Sequence, residues 1–210
     1  NEDGFPQLTA RPVPLGDPNP DWRGGLGLRV KWKGLFANAL IEHSQGGVFS
    51  PRTLWVLRRF GTTNETANRM TLSQDLVTYA GNTIPAGTTV RGNVEHFGGG
   101  DVLVDESWYR TGIGGGFGDN QAYNFSIFDA TFTRFKELSL GYVFNGQKLR
   151  ENTKLGSVTL TFTGRNLFLL DDIPGVDPEV NQFGVSNGFG LDYFTNPSTK
   201  SFLFSVRISY

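Results

Sequence analysis

The last twelve residues of the chain, 199–210, contain the clearest alternation of apolar and polar positions. Side chains of an extended strand point alternately to opposite faces, so this pattern predicts a β-strand with one apolar and one mostly polar face. The apolar face carries Phe202, Phe204, Val206, Ile208 and Tyr210. Because the final residue belongs to this face, the strand needs an apolar environment along its length. That environment is either a protein core or a lipid bilayer.

Other segments share this period of two and predict an all-β fold. Together they make about five antiparallel strands. The predicted strand segments are a hairpin over 24–45, which reverses at Lys33-Gly34, and strands over 126–144, 157–170 and 199–210. Residues 1–23 are rich in turn formers and predict an irregular loop, whereas residues 46–125 show no sustained period and predict one long loop.

The predicted connections are sorted by length between the two ends of the strands. The short polar connections at Lys33-Gly34 and 145–156 fall at one end, and the long segments 46–125 and 171–198 fall at the other. Transmembrane β-barrels show this asymmetry, with short periplasmic turns and long extracellular loops. A soluble sandwich with Greek-key connections is not expected to show it.

Three aromatic residues, Trp32, Phe144 and Tyr210, lie at the predicted end with the short connections. Aromatic girdles mark both interfaces of a membrane barrel, so these residues are candidates for a membrane-interface girdle. Aromatic residues are also common in ordinary protein cores, and their position alone leaves both interpretations open.

Composition excludes several classes of protein. The 210 residues carry a net charge of −1, with 19 Lys and Arg against 20 Asp and Glu, so there is no basic footprint for nucleic acid. With no cysteine and only two histidines, the chain offers no thiolate metal site and no catalytic constellation, and we expect it not to be an enzyme. No stretch reaches the roughly 20 apolar residues of a membrane helix, although a barrel strand needs only about 9–11 residues.

Several motifs resemble the C-terminal end of SusC/RagA-type TonB-dependent outer-membrane transporters. The similarity extends over nearly the whole chain and is weakest within the long loop, apart from 101–109. The motifs are Gly16-Asp17-Pro18-Asn19-Pro20-Asp21-Trp22, the Trp32-Lys33-Gly34 reversal, Phe132 to Tyr142, Thr163-Gly164-Arg165-Asn166-Leu167-Phe168, Gly175-Val176-Asp177-Pro178-Glu179-Val180 and the aromatic terminal strand.

The resemblance implies that this chain supplies the last five or so strands of a 22-stranded transmembrane β-barrel with long extracellular loops in a bacterial outer membrane. Five strands cannot close a barrel, so we expect the remaining strands and a plug in the same longer polypeptide or in another chain. The chain also begins at Asn1 without an initiator methionine, as a processed chain or a fragment would. Further implied partners are a SusD-like lipoprotein, the TonB complex acting through a missing N-terminal region, and membrane lipid. Tyr210 becomes a candidate assembly signal.

Two groups of residues are candidates for ligand contact. Acidic residues in the second long loop offer the oxygen ligands that calcium prefers, although they also suit turns and surface pairs, and no other cofactor is predicted. Aromatic residues of the first long loop are candidates for stacking on sugars, although packing against neighbouring loops is an equal alternative. The acidic candidates are Asp171, Asp172, Asp177, Glu179 and Asp192, and the aromatic candidates are Trp55, Trp108 and Tyr109.

Three functions remain open. The leading hypothesis is part of a TonB-dependent importer of glycan or peptide oligomers that works with a SusD-like lipoprotein. The second is a barrel subunit with a structural or secretion-associated role and no transport of its own. The third is a soluble carbohydrate-binding β-sandwich, in which the same apolar faces would pack together as a core.

Overall fold

A computed structural model describes residues 1–110, 113–114, 123–184 and 188–210. Its main feature is a five-stranded antiparallel sheet in which each long strand pairs with the next one along the chain. These strands are β1 (Trp22–Trp32), β2 (Leu35–Gln45), β11 (Phe132–Phe144), β12 (Ser157–Asp171) and β14 (Ser201–Ser209). The predicted fold of about five consecutive antiparallel strands is confirmed.

The hairpin between β1 and β2 reverses over two residues. Lys33 and Gly34 have φ angles of 46° and 93°, the left-handed conformation that two-residue hairpin turns require. The Gly34 carbonyl accepts a hydrogen bond of 2.8 Å from the Val143 amide, which ties this turn to the end of β11. The other connection at this end, between β11 and β12, contains the short helix α3 (Gln147–Thr153).

The register of the sheet places the apolar residues of all five strands on one face. Leu28 lies opposite Ala39, Leu140 opposite Phe162, and Phe162 opposite Phe204. Within the described residues no element covers this face, and Leu140 on the central strand β11 is 49% exposed. The soluble sandwich hypothesis requires a second apolar layer over this face, and the described residues supply none. The exposed apolar residues of this face are Leu26, Leu28, Val30, Trp32, Leu35, Leu140, Tyr142, Phe144, Phe162, Phe168, Leu170, Phe202, Phe204, Val206, Ile208 and Tyr210.

The opposite face is mostly polar. Thr159 lies opposite Arg207 and Thr161 opposite Ser205, while Arg165 forms a salt bridge of 3.0 Å with Glu137. A β-bulge at Lys136 interrupts the pairing of β11. A bulge adds one residue to a strand and turns its side chains, which here directs Lys136 toward Glu42 and Glu179.

The two long segments both lie at the end of the sheet opposite the hairpin turn. Between β2 and β11 the chain forms a folded region of short elements, and the 172–200 segment connects β12 to β14. The short elements are β3 (Val48–Pro51), α1 (Arg52–Arg59), β4 (Arg69–Thr71), β5 (Leu76–Val77), β6 (Thr83–Ile84), β7 (Thr89–Arg91), β8 (Asn93–His96), β9 (Asp101–Val104), α2 (Glu106–Arg110), β10 (Phe128–Asp129) and, in the second segment, β13 (Leu191–Asp192), with 3₁₀ turns at Asn64–Ala67 and Tyr123–Ser126.

The hydrophobic core lies in this folded region and not beneath the sheet. One cluster surrounds Trp108 and includes Phe5, so the N-terminal segment packs against the first long segment. A second, smaller cluster contains Leu72, Leu76 and Leu103. The first long segment is therefore folded around two small cores, although its sequence has no sustained period. None of the helices in the described ranges has the length and apolar character needed to cross a bilayer.

Candidate functional site

The sheet itself is the first candidate site, because its two faces suit two different solvents. Its strands have 9 to 15 residues, and a strand that crosses a bilayer needs about 9–11. The apolar face continues from the hairpin end to Phe168 and Leu170 near the long segments. An antiparallel sheet with lipid on one face and water on the other would show this distribution of side chains.

The predicted girdle residues Trp32, Phe144 and Tyr210 lie together at the hairpin end of the sheet. Trp32 pairs with Leu35 beside the turn, and Phe144 pairs with Val158 at the end of β11. Tyr210 follows the last strand and is 95% exposed. Trp32 and Phe144 are 63% and 43% exposed, and the Phe144 ring packs against Tyr142 with centroids 4.5 Å apart. None of the three is buried in a core, and their role at a membrane interface stays a prediction.

An ion network joins the polar face of the sheet to the 172–200 segment. Arg134, on β11, forms salt bridges with Asp177 and Glu179, and its Nη1 donates a hydrogen bond of 2.8 Å to Ser198 Oγ. Lys136 forms salt bridges with Glu179 at 2.5 Å and with Glu42 at 3.1 Å. The network thus fastens the second long segment to two strands of the sheet.

The centre of this network is buried. The side chains of Arg134 and Asp177 are only 4% and 7% exposed. Burial raises the pKa of the Asp177 carboxyl, but hydrogen bonds from the Ser198 hydroxyl and the Glu179 amide, together with the Arg134 charge, hold that pKa below its usual value. Asp177 is therefore a carboxylate at neutral pH, and its charge is balanced by Arg134.

Two of the five predicted calcium ligands already pair with cations of the protein, and calcium binding by this loop stays a prediction. Asp177 and Glu179 pair with Arg134 and Lys136. Asp171 accepts a hydrogen bond of 2.8 Å from the Ile173 amide, and buried Asp192 accepts one of 3.2 Å from the Thr195 amide. Asp172 takes part in none of the salt bridges or hydrogen bonds named here. Among the described residues no group of three or more His, Asp or Glu side chains is arranged to hold a metal ion.

Two of the predicted ligand-contacting aromatic residues are core residues. Trp55 is 5% exposed, and its indole Nε1 donates a hydrogen bond of 3.3 Å to the Ser126 carbonyl. Trp108 is 4% exposed and stacks on Phe5 and Phe97, with ring centroids 5.7 and 5.1 Å away. Neither ring has a free face for a ligand. Their size made them equally suited to fill a core, and tertiary packing uses them for that purpose.

Tyr109, the third predicted aromatic, borders a cavity of about 780 Å³ in the first long segment. Burial and the nearby Glu65 carboxylate raise the pKa of its phenol to about 12, so the hydroxyl is neutral at physiological pH. The walls of the cavity also include Arg58, Arg59, Arg91 and Arg110. These arginines were not predicted from the sequence, because they come from segments that only the fold brings together.

Arg134 and Lys136 were also missed as functional candidates. The sequence does contain a signal: Arg134 and Lys136 flank Phe135 on a strand whose other positions alternate regularly. Charged side chains at such positions need counter-charges if the fold buries them. The partner, however, lies 43 positions away for Asp177 and cannot be found by spacing.

Comparison with known proteins finds a similar sequence among curated proteins and several similar structures. The chain is 26% identical over 201 residues to TonB-dependent receptor P3 from Formosa agariphila. The alignment includes 93% of this chain but only 17% of the receptor's length. No protein-family model matches the chain. The chain therefore spans about a sixth of a much longer relative.

The fold is similar to that of proteins in the RagAB structures. The structure of the RagAB peptide transporter matches with a TM-score of 0.55 and 20% identity, and the RagAB peptide importer in its open-open state matches with 0.54 and 18%. Each match includes 91% of this chain and 17% of the other chain. The predicted resemblance to SusC/RagA-type TonB-dependent transporters is confirmed.

Proposed function

We propose that this chain forms the last five strands of the wall of a TonB-dependent importer in a bacterial outer membrane. The observation that carries the proposal is the five-stranded sheet with an uncovered apolar face, a polar opposite face and both long segments at one end. Burying one exposed leucine-sized side chain contributes about 1.5–3 kcal/mol, so a face of sixteen such residues strongly favours contact with lipid.

The two open edges of the sheet indicate that further strands pair with it in the complete protein. In the described residues β1 pairs only with β2, and β14 pairs only with β12. Unpaired backbone groups in hydrocarbon cost several kcal/mol each, so both edges need further strands. We therefore expect the remaining strands and a plug, whether in the same polypeptide or in another chain, to complete a barrel of 22 strands.

The polar face would line the interior of this barrel, and the two long segments would lie outside the cell. There they would contribute to the vestibule that captures oligomeric nutrients, glycans or peptides, together with a SusD-like lipoprotein. The girdle residues Trp32, Phe144 and Tyr210 would lie at the periplasmic interface, and Tyr210 would also serve as an assembly signal. The TonB complex would act through the N-terminal region of the whole protein.

The proposal is tested by uptake into cells that carry or lack the complete gene. Cells with the intact gene should take up labelled oligomers only while the proton-motive force is maintained, and deletion of the gene should abolish this uptake. Uptake that is unchanged by the deletion, although the protein is found in the outer membrane of cells with the intact gene, would support a structural or secretion-associated subunit. Recovery of the protein as a detergent-free soluble monomer would contradict a membrane wall altogether.

A further inference from the structure

The cavity in the first long segment has the size and form of a ligand site. Its volume of about 780 Å³ lies within the range of about 300–1,000 Å³ that is usual for small-molecule sites. Ile84, Val90 and Leu103 give it an apolar floor. The rim comes from the end of α1, from β7 and from α2, so three separate elements converge on one space.

The charges around the cavity are not fully balanced. Of its four arginines, Arg58 pairs with Glu65, and Arg110 pairs with Glu106 at 2.6 Å. Arg59 and Arg91 form no salt bridge with any described residue. Asp105, the third carboxylate of the lining beside Glu65 and Glu106, accepts hydrogen bonds from Ser107. The lining thus has four arginines against three carboxylates and carries an excess positive charge.

Backbone carbonyl groups orient these two guanidinium groups. Nη1 of Arg59 donates a hydrogen bond of 2.8 Å to the Arg110 carbonyl. Arg91 donates through Nε to the Thr66 carbonyl at 2.5 Å and through Nη2 to the Gly61 carbonyl at 2.8 Å. A neutral carbonyl holds a guanidinium in place without cancelling its charge. Because a guanidinium has five N–H donors, both groups retain donors for a further acceptor.

An exposed aromatic ring adjoins these charges. Phe60 follows α1 at the rim of the cavity and is 72% exposed. Gly61, the next residue, has a φ of 66°, and a Cβ there would lie 3.3 Å from Arg91 Nη2. The turn after α1 thus brings an apolar ring close to a fixed cation. A ligand with carboxylate groups on an apolar or carbon-rich backbone would match both features.

We propose that this cavity binds the carboxylate groups of an acidic oligomer, through Arg59 and Arg91, with Phe60 contacting the carbon skeleton beside them. The inference rests on the proposed import function and narrows its substrate class to oligomers with repeated carboxylates. Sugar acids and acidic peptides share this chemistry. A pair of charge-assisted hydrogen bonds to a planar carboxylate is the recognition that two oriented arginines offer.

The test measures binding of defined probes to the complete protein in detergent by isothermal titration calorimetry. The acidic probes are a galacturonate hexamer and a glutamate hexapeptide, and the neutral probe is maltohexaose. Removing one hydrogen-bonding partner of a charged group typically costs enough to weaken binding by about 10- to 100-fold. We therefore expect R59Q and R91Q each to raise the Kd for an acidic probe by about that factor, and added salt to weaken binding by the unaltered protein.

Two further variants separate charge recognition from a change in folding. R91K keeps the positive charge and should retain more of the affinity than R91Q. R52Q removes an exposed arginine at the other end of α1, outside the cavity, and should leave the Kd unchanged. Binding of only the sugar acid, of only the acidic peptide or of both would each support the site and would identify the source of the carboxylate.

The proposal is overturned if neither acidic probe binds, or if the double variant R59Q/R91Q binds them as tightly as the unaltered protein. Preference for maltohexaose would also contradict it. Failure of the import function gives a different result, namely acidic probes that bind through Arg59 and Arg91 but are not taken up by cells. Conversely, energy-dependent uptake that is unchanged in R59Q/R91Q would support the import function and contradict ligand binding in this cavity.

Discussion

Replacing Arg134 with methionine should release the 172–200 segment from the sheet. The substitution keeps a long, flexible side chain but removes the guanidinium that pairs with Asp177 and Glu179 and donates to Ser198. Asp177 would then remain as a buried carboxylate without its cation. Its hydrogen bonds from the Ser198 hydroxyl and the Glu179 amide would be the only compensation left.

The magnitude follows from the burial of the pair. Because Arg134 and Asp177 are 4% and 7% exposed, solvent screens their interaction little. Removing one partner of such a buried pair costs about 3–5 kcal/mol. At 1.36 kcal/mol per tenfold change, the opening of the segment should become roughly a hundred- to several-thousand-fold more frequent.

Hydrogen exchange of the complete protein, followed by mass spectrometry, measures this opening directly. The Glu179 amide donates to Asp177 Oδ1 at 3.0 Å and the Val180 amide to the Asp177 carbonyl at 3.1 Å, so both amides report on the network. The matched control is R165Q, which breaks the Arg165–Glu137 pair on the same face. That pair is 55% and 35% exposed and should contribute only about 0–1 kcal/mol.

Exchange near Glu179 that rises no more in R134M than in R165Q would refute the reasoning. The double variant R134M/D177N supplies a second check, since removing the orphaned charge should restore part of the protection.

The network should also respond to acid. Because the pKa of Asp177 is held below 3.8, its stabilising contribution is present above pH 3.8 and is lost as the pH falls through the lowered pKa. Opening of the segment, taken as its exchange rate relative to the intrinsic rate at each pH, should therefore become more frequent below pH 3.8 in the unaltered protein, and D177N should show a smaller change.

Three other predictions concern the sheet. F204R should reduce the folded fraction in the outer membrane, measured by heat-modifiable electrophoretic mobility, because a charge facing lipid costs about 2–4 kcal/mol, whereas S205R on the polar face should assemble normally. G141V should lower the unfolding temperature, because a Cβ there would lie 2.2 Å from Phe36, while G27V has no atom within 4 Å and should not. Deleting Tyr210 should lower the amount of assembled barrel in membrane fractions; an unchanged amount would argue against an assembly signal.

The alternation along each long strand is a local property, and it was sufficient to predict the sheet. Side chains of a strand point to alternate faces whatever the rest of the chain does, so the apolar face from Phe202 to Tyr210 could be derived from the sequence. The sorting of short and long connections follows from strand order alone. The ends of strands depend on less local information. The sequence predicts a strand from residue 126, but β11 begins at Phe132, because the preceding residues form a 3₁₀ turn and a short strand.

Only the tertiary structure decided which residues meet. Trp55 and Trp108 have the same side chain as Trp32, yet the first two fill a core and the third is exposed, because long-range packing and not residue type determines burial. The sequence makes the acidic loop residues calcium candidates, whereas only the fold shows that Arg134 and Lys136 pair with two of them. Likewise, the arginine-lined cavity exists because separate short elements converge. The sequence alone therefore determined the two-faced strands, whereas the network and the cavity depend on contacts between residues far apart along the chain.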